Sequence, residues 1–262
     1  MPSGSGSAST SGSSSSGASG SGAPSGSGSG SSSGAPVACP DAGAGTPSCS
    51  PGKTYSVGLT YYAQTSANNC GVPWPADGMY VALSNALYAS STSCGKCIQA
   101  NGKTLLVVDS CPYDPKNPSV NAPCQQDHLD LSPTAYQAVH GSLNPGSVPN
   151  GSLTAKFVPC PVSGNIEYSF TKTTQTYYLA MVVTNAKYGI QKVEYRANGG
   201  CAWTTMAART VADPHWTING TMVPNPIDLL VTDEYGHVLE DDGVHWTAGQ
   251  NVPGHGQFPS CP

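Results

Sequence analysis

Hydrophobic and polar positions fall into a pattern only from Thr54; residues 1 to about 37 are almost entirely Ser, Gly, Ala and Pro. The run 54–62, with Tyr55, Val57, Leu59, Tyr61 and Tyr62, is rich in β-formers and reads as a first strand. Segment 79–88 is mixed, its front half suited to a strand and its back half to one helical turn. Residues 103–109 carry a continuous apolar run that predicts a buried strand ending in the carboxylate of Asp109. A loop rich in Pro and Asn, 111–124, leads to His128-Leu129-Asp130-Leu131-Ser132-Pro133. There Ser132 is an N-cap by type, Pro133 suits the first helical position, and Gly141 closes a short helix over 134–140. A strand over 153–160 follows. Beyond Cys160-Pro161 come seven short runs: 165–171, 177–184, 191–196, 202–206, 215–218, 227–232 and 237–240. Short strands with polar turns and no convincing helix predict a β-sandwich of about 100 residues.

Composition narrows the class. Ten cysteines, an even number, in a chain with only 10% charged residues argue for a disulfide framework and an oxidising compartment. Export is implied, and because no basic region precedes an apolar stretch at the start, the signal is expected to lie upstream or to have been removed. The net charge is −5, and no basic block favours nucleic acid. Residues 52–160 are neutral, whereas 161–262 carry five Lys or Arg against nine Asp or Glu. No apolar run reaches membrane-span length. The Ser/Gly-rich start cannot offset its ordering entropy and reads as a disordered spacer, free to tether the folded part to a surface. Cys39 and Cys49 would close a small loop before the first strand.

Three residues carry candidate chemistry. Thr60 and Asp109 stand at or near strand ends, and Asp130 sits in an apolar frame just before a helix. The helix N-terminus favours ionised Asp130, while burial by Leu129 and Leu131 raises its pKa, and the sequence alone leaves the winner open. Two carboxylates and a hydroxyl are an inventory for glycosidic acid–base chemistry. Cys94-x-x-Cys97 lacks a second such pair or a His pair, and the histidines have no ligand spacing, so neither metal nor cofactor is expected. Asn150-Gly151-Ser152 and Asn219-Gly220-Thr221 match the glycosylation sequon.

Gly58-Leu59-Thr60-Tyr61, Val108-Asp109-Ser110-Cys111-Pro112 and His128-Leu129-Asp130-Leu131-Ser132 resemble the motifs of the expansin barrel. Ser163-Gly164-Asn165, Tyr177-Tyr178, Asn185-Ala186-Lys187-Tyr188 and 252–259 resemble the second domain of bacterial expansins. The resemblance covers roughly 52–262, in the expected order. It implies an all-β protein: a disordered Ser/Gly-rich segment over 1–51, a six-stranded double-psi β-barrel over 52–160, and an immunoglobulin-like cellulose-binding β-sandwich over 161–262. It implies disulfides Cys70–Cys94, Cys97–Cys160, Cys111–Cys124 and Cys201–Cys261 beside the local pair Cys39–Cys49. The expansin pattern further places Asp109 beside Asp130.

The function implied is binding of cellulose and associated wall glucans, with loosening of plant cell-wall networks but no hydrolysis. Thr60, Asp109 and Asp130 would line the groove, and Tyr61, Tyr62, Tyr113, Tyr177, Tyr178 and Trp216 would contact polysaccharide, with Trp203 in the core. Family 45 glycoside hydrolases resemble expansins but keep a base where this chain has Gln64, whose amide accepts no proton. Cys111 occupies a place where bacterial expansins often carry an aromatic. Two alternatives remain: a weak β-1,4-glucanase with Asp130 as acid, and a non-catalytic binder of peptidoglycan or chitin. The expected protein is a secreted monomer.

Overall fold

A computed structural model describes residues 46–50, 52–119, 121–144 and 146–261. Strands β1 (Thr54–Tyr61), β2 (Tyr80–Ser84), β3 (Cys97–Ala100), β4 (Lys103–Cys111), β5 (His128–Leu131) and β6 (Val148–Val158) close into a barrel in the order β1-β5-β2-β4-β3-β6. The pairs β1–β5 and β2–β4 are parallel and the others antiparallel, as befits a double-psi β-barrel. Period-two alternation fills it: Val57 and Leu59, Val81 and Leu83, Leu129 and Leu131 are buried within one cluster. Asp130, Thr60 and Ala82 therefore stand on the other face. Between strands lie one helical turn, α1 (Asn85–Tyr88), and the helix α2 (Pro133–His140). Ser132 caps α2 by accepting from Ala135 N at 2.9 Å, and Gly141 ends it at φ +89°.

The second half is a sandwich of two four-stranded sheets. One has the order β11-β8-β7-β14, from β7 (Glu167–Phe170), β8 (Tyr178–Thr184), β11 (Trp216–Asn219) and β14 (Asn251–Pro253). The other runs β10-β9-β12-β13, from β9 (Ile190–Ala197), β10 (Thr204–Thr205), β12 (Ile227–Asp233) and β13 (Val238–Val244). Leu179, Met181 and Val183 meet Val193, Leu229 and Val231 between the sheets. Trp203, expected in this core, lies outside it; β9 turns Arg196 outward, and the Trp203 ring packs under that guanidinium at 4.2 Å. Trp216 is the buried one, 3% exposed.

Disulfides join Cys70 to Cys94, Cys97 to Cys160 and Cys111 to Cys124, the pairs the resemblance implies. Two other pairings are corrected. Cys49 bonds Cys261, which removes both Cys39–Cys49 and Cys201–Cys261. Cys201 is disulfide-bonded as well, and Cys39 lies outside the described residues. Residues 46–50, read as the end of the spacer, lie against the sandwich: Ser48 N donates to Tyr235 O at 2.9 Å beside the Cys49 bridge. The rest of the expected spacer, residues 1–45, lies outside the described residues. His237 lies near the Cys49–Cys261 bridge, but both sulfurs are bonded to each other and so offer no thiolate.

Barrel and sandwich belong to one compact unit. Arg209 fastens them, donating to Cys94 O on the barrel side and Ile190 O on the sandwich side at 3.1 and 3.2 Å. Lys96 pairs with Glu234 across the same seam at 2.7 Å.

Candidate functional site

Strand register builds a row of residues across the outer face of the barrel. Thr60 is paired with Asp130, Asp130 with Ala82, and Ala82 with Asp109. A hydroxyl, a carboxylate, a methyl and a second carboxylate thus follow one another from strand to strand. Asp109 is not beside Asp130, as the resemblance implied, because β2 runs between them. Neighbouring strands are about 4.8 Å apart, so the two backbones stand roughly 10 Å apart. Between them Ala82 is itself buried, 2% exposed, against the Cys111–Cys124 bridge.

A second row lies one pleat away: Gly58 pairs with His128, and Ser84 with Cys111, while His128 N donates to Ser84 Oγ at 3.2 Å. Gly58 is required here. A Cβ at that position would fall 2.2 Å from Asn150 Oδ1 and 2.7 Å from Val148 O. Without it, Asn150 on β6 reaches across β1 to the imidazole.

These rows are hydrogen-bonded into one unit. Thr60 Oγ1 lies 2.7 Å from Asp130 Oδ1 and 2.9 Å from His128 Nε2. His128 Nδ1 donates to Asn150 Oδ1 at 2.7 Å, and Asn150 Nδ2 donates to Pro123 O at 3.1 Å. Asp109 Oδ1 accepts from the backbone N–H groups of Asn69 and Ser110 at 3.0 and 2.9 Å. Burial is the largest influence on each titratable group. It raises Asp130, with Asp109 adding repulsion and the Thr60 bond opposing. It raises Asp109 against two backbone bonds, and it lowers His128 against the Asn150 bond. The contest at Asp130 left open by the sequence is therefore won by burial. A cavity of about 220 Å³ opens beside the unit, lined by Thr60, Pro123, His128 and Asn150 among others.

The expected aromatic contacts divide. Tyr61 is 40% exposed and packs edge-on to Tyr136 near the groove. Tyr62 lies lower, its ring edge-on to Tyr80 and its buried hydroxyl without a partner; burial, with Asp109 and Asp130 nearby, pushes its pKa far up. Tyr62 and half-buried Tyr113 both pack against the Cys111–Cys124 bridge. Tyr177 is 62% exposed in the turn before β8. It escapes strand alternation there, and Tyr178, the first residue of β8, stays outside the sandwich core. Neither is core, so the pair is a surface feature. Trp216 is corrected: on β11 its ring is buried beneath Arg209, whose guanidinium lies 5.4 Å away, and it has no face for a ligand to stack on.

Sequence reasoning missed Asn150, read only as a sequon, and gave His128 no role. The signal was present in the glycine at 58, which makes sense only once β6 is seen beside it.

A double-psi β-barrel carrying the Thr60–Asp130–Ala82–Asp109 row, followed by an immunoglobulin-like sandwich, defines a two-domain expansin-type architecture. Comparison with known proteins agrees. The chain is 30% identical over 215 residues to Expansin-like protein 2 of Dictyostelium discoideum, covering 78% of this chain. It is 28% identical over 138 residues to Expansin-YoaJ of Bacillus subtilis, covering 50% of this chain. It spans about half the length of these relatives, 50% and 55% respectively. Among solved structures, the apo expansin of Clavibacter michiganensis superposes with a TM-score of 0.67 at 26% identity, over 80% of this chain and 100% of that one. A mutant of that expansin, in complex with cellohexaose, matches with the same TM-score at 25% identity. No family model matches the chain. In sequence and in fold the chain is similar to expansin-like proteins.

Proposed function

We propose that this protein is secreted, binds cellulose and associated wall glucans, and loosens their contacts without cleaving them. The observation that carries the reading is the polar row Thr60–Asp130–Ala82–Asp109 on the outer face of an expansin-like barrel. The Clavibacter protein's complex with cellohexaose supports a glucan as occupant. Tyr177 and Tyr178 would stack on the apolar faces of glucose units and hold the protein on a cellulose surface. In the groove, Thr60 and Asp130 would exchange hydrogen bonds with glucan hydroxyls, in competition with the bonds that hold glucans to one another. Lack of hydrolysis is supported by exposed Gln64 in the base's place and by Asp109 Oδ1, already held by two backbone donors.

One observation favours the second reading, a weak β-1,4-glucanase. Asp109 and Asp130 are two strands apart, a wider spacing than the resemblance implies and in the direction inverting hydrolases require. Pull-down on cellulose, chitin and peptidoglycan, with a reducing-end assay on the cellulose sample, separates the readings. Retention on cellulose with background sugar release is expected. Release abolished by Asp130→Asn would establish the hydrolase, and retention on chitin or peptidoglycan alone would reject the cellulose reading.

A further inference from the structure

The Thr60 hydroxyl has one hydrogen but two close acceptor-capable neighbours, Asp130 Oδ1 at 2.7 Å and His128 Nε2 at 2.9 Å. On the far side of the imidazole, Asn150 Oδ1 can only accept, so Nδ1 carries a hydrogen. The amide is fixed in that sense, because its Nδ2 donates to Pro123 O and reversal would bring two acceptors together. A neutral His128 held this way offers only a lone pair at Nε2. It then takes the Thr60 hydrogen, and Asp130 must bring a hydrogen of its own to Thr60 Oγ1. If Thr60 donates to Asp130 instead, Nε2 must also carry a hydrogen, and His128 is an imidazolium. Both short contacts are hydrogen bonds only when the unit holds one proton more than a neutral imidazole beside a carboxylate.

We propose that His128 is a positioning residue which, pinned by Asn150, shares one proton with Asp130 through Thr60, so that Asp130 passes between carboxyl and carboxylate in the groove with no change in the unit's net charge. The inference rests on the groove's reading as a glucan-engaging surface. The step balances: the Asp130 proton passes to Thr60 Oγ1 as the Thr60 hydrogen passes to His128 Nε2. No bond between heavy atoms changes and no electron is gained or lost.

The surroundings support the sharing. Burial lowers His128 and raises Asp130, which biases the proton toward the carboxyl. Asp109 from β4 faces Asp130 and adds to the same bias, as its own repulsion is relieved when Asp130 is neutral. Tyr62, just past β1, faces both carboxylates and stays protonated, backed by Tyr80 from β2. Asp127 precedes His128 in the chain and faces Tyr55. From β6 the imidazole meets only the neutral Asn150 amide, and from β2 its backbone N–H meets the Ser84 hydroxyl. Among the described residues no lysine or arginine is paired with either His128 or Asp130. His128 itself is 1% exposed, so its proton is reached through Thr60 rather than from solvent.

The test uses the full chain without polysaccharide: nitrogen-15 histidine and carbon-13 carboxyl NMR titrations of the parent, His128→Gln and Asn150→Ala. Neutral His128 is expected to carry its hydrogen on Nδ1, with the ring and the Asp130 carboxyl responding together through one transition. In both variants the Asp130 midpoint is expected to fall, because Gln, or an imidazole freed to protonate at Nε2, can donate to Thr60 and let it donate to the carboxylate. A hydrogen on Nε2 of neutral His128 in the parent, or an Asp130 midpoint unmoved in both variants, overturns the inference. If His128→Gln does not fold, Asn150→Ala decides alone. Wall extension against pH, run on the parent and Asn150→Ala, reads the link to function. A displaced profile supports it, and an unchanged profile with a displaced midpoint overturns it. A parent that extends no wall at any pH counts against the groove reading itself, while the titration still decides the relay.

Discussion

Asp130 shows how burial and hydrogen bonding set a single residue's chemistry. Leu129 and Leu131 carry it into the barrel wall, and desolvation raises its pKa above the ordinary 3.8. A carboxyl raised in the fold contributes stability while protonated and loses it as pH climbs through the raised value. Asp130→Asn keeps the shape and hydrogen-bonding reach of the protonated acid. The melting temperature of the variant is expected to match the parent's at acid pH and to exceed it increasingly toward neutrality, measured by calorimetry across that range. An equal or lower value at neutral pH would mean that the ionised form is the one the fold favours. The sequence named Asp130, Thr60 and Asp109, because leucine neighbours and strand ends are local signals. It did not name Asn150, whose role needs β6 to lie beside β1, a contact between residues far apart in the chain.

At the scale of elements, local pattern served where runs were long. The strands β1, β4, β8 and β12 and the helix α2 stand close to where alternation and capping put them. Shorter ones escaped: β3 is four residues inside a cysteine-rich stretch, and β14 is three residues ending in Pro253. Too few positions remain in such strands for a period to register. The turn before β8 had the opposite outcome. Alternation would have hidden one of Tyr177 and Tyr178, but the strand begins at Tyr178 and leaves Tyr177 free. Changing both to Ala is expected to weaken cellulose adsorption several-fold to about a hundredfold, at roughly 0.5–1.5 kcal/mol per lost ring contact. Adsorption isotherms with unchanged slopes would place the affinity in the barrel instead.

At the scale of the molecule, the two ends of the described residues are stapled together. Cys49 and Cys261 are 212 residues apart and enclose barrel and sandwich in one loop. Cysteine pairing of this reach leaves no local trace in a sequence, which is why a nearby partner was expected for Cys49. Loop entropy assigns such a link about 5 kcal/mol, so Cys49→Ala with Cys261→Ala should lower the melting temperature by roughly 10–20 °C while cellulose adsorption is retained. Charge also acts at this scale. With a net charge of −5, adsorption to pectin-rich walls is expected to be weak and nearly indifferent to salt. Strong low-salt adsorption released by added salt would contradict that. The groove's role is tested most directly by wall extension under constant load, with reducing sugar assayed in the same sample, for the parent and Asp130→Asn. The expected result is extension by the parent, a steep loss in the variant, equal cellulose adsorption by both, and sugar release at background throughout. Full extension by a folded Asp130→Asn protein, or sugar release by the parent that the substitution abolishes, would contradict it.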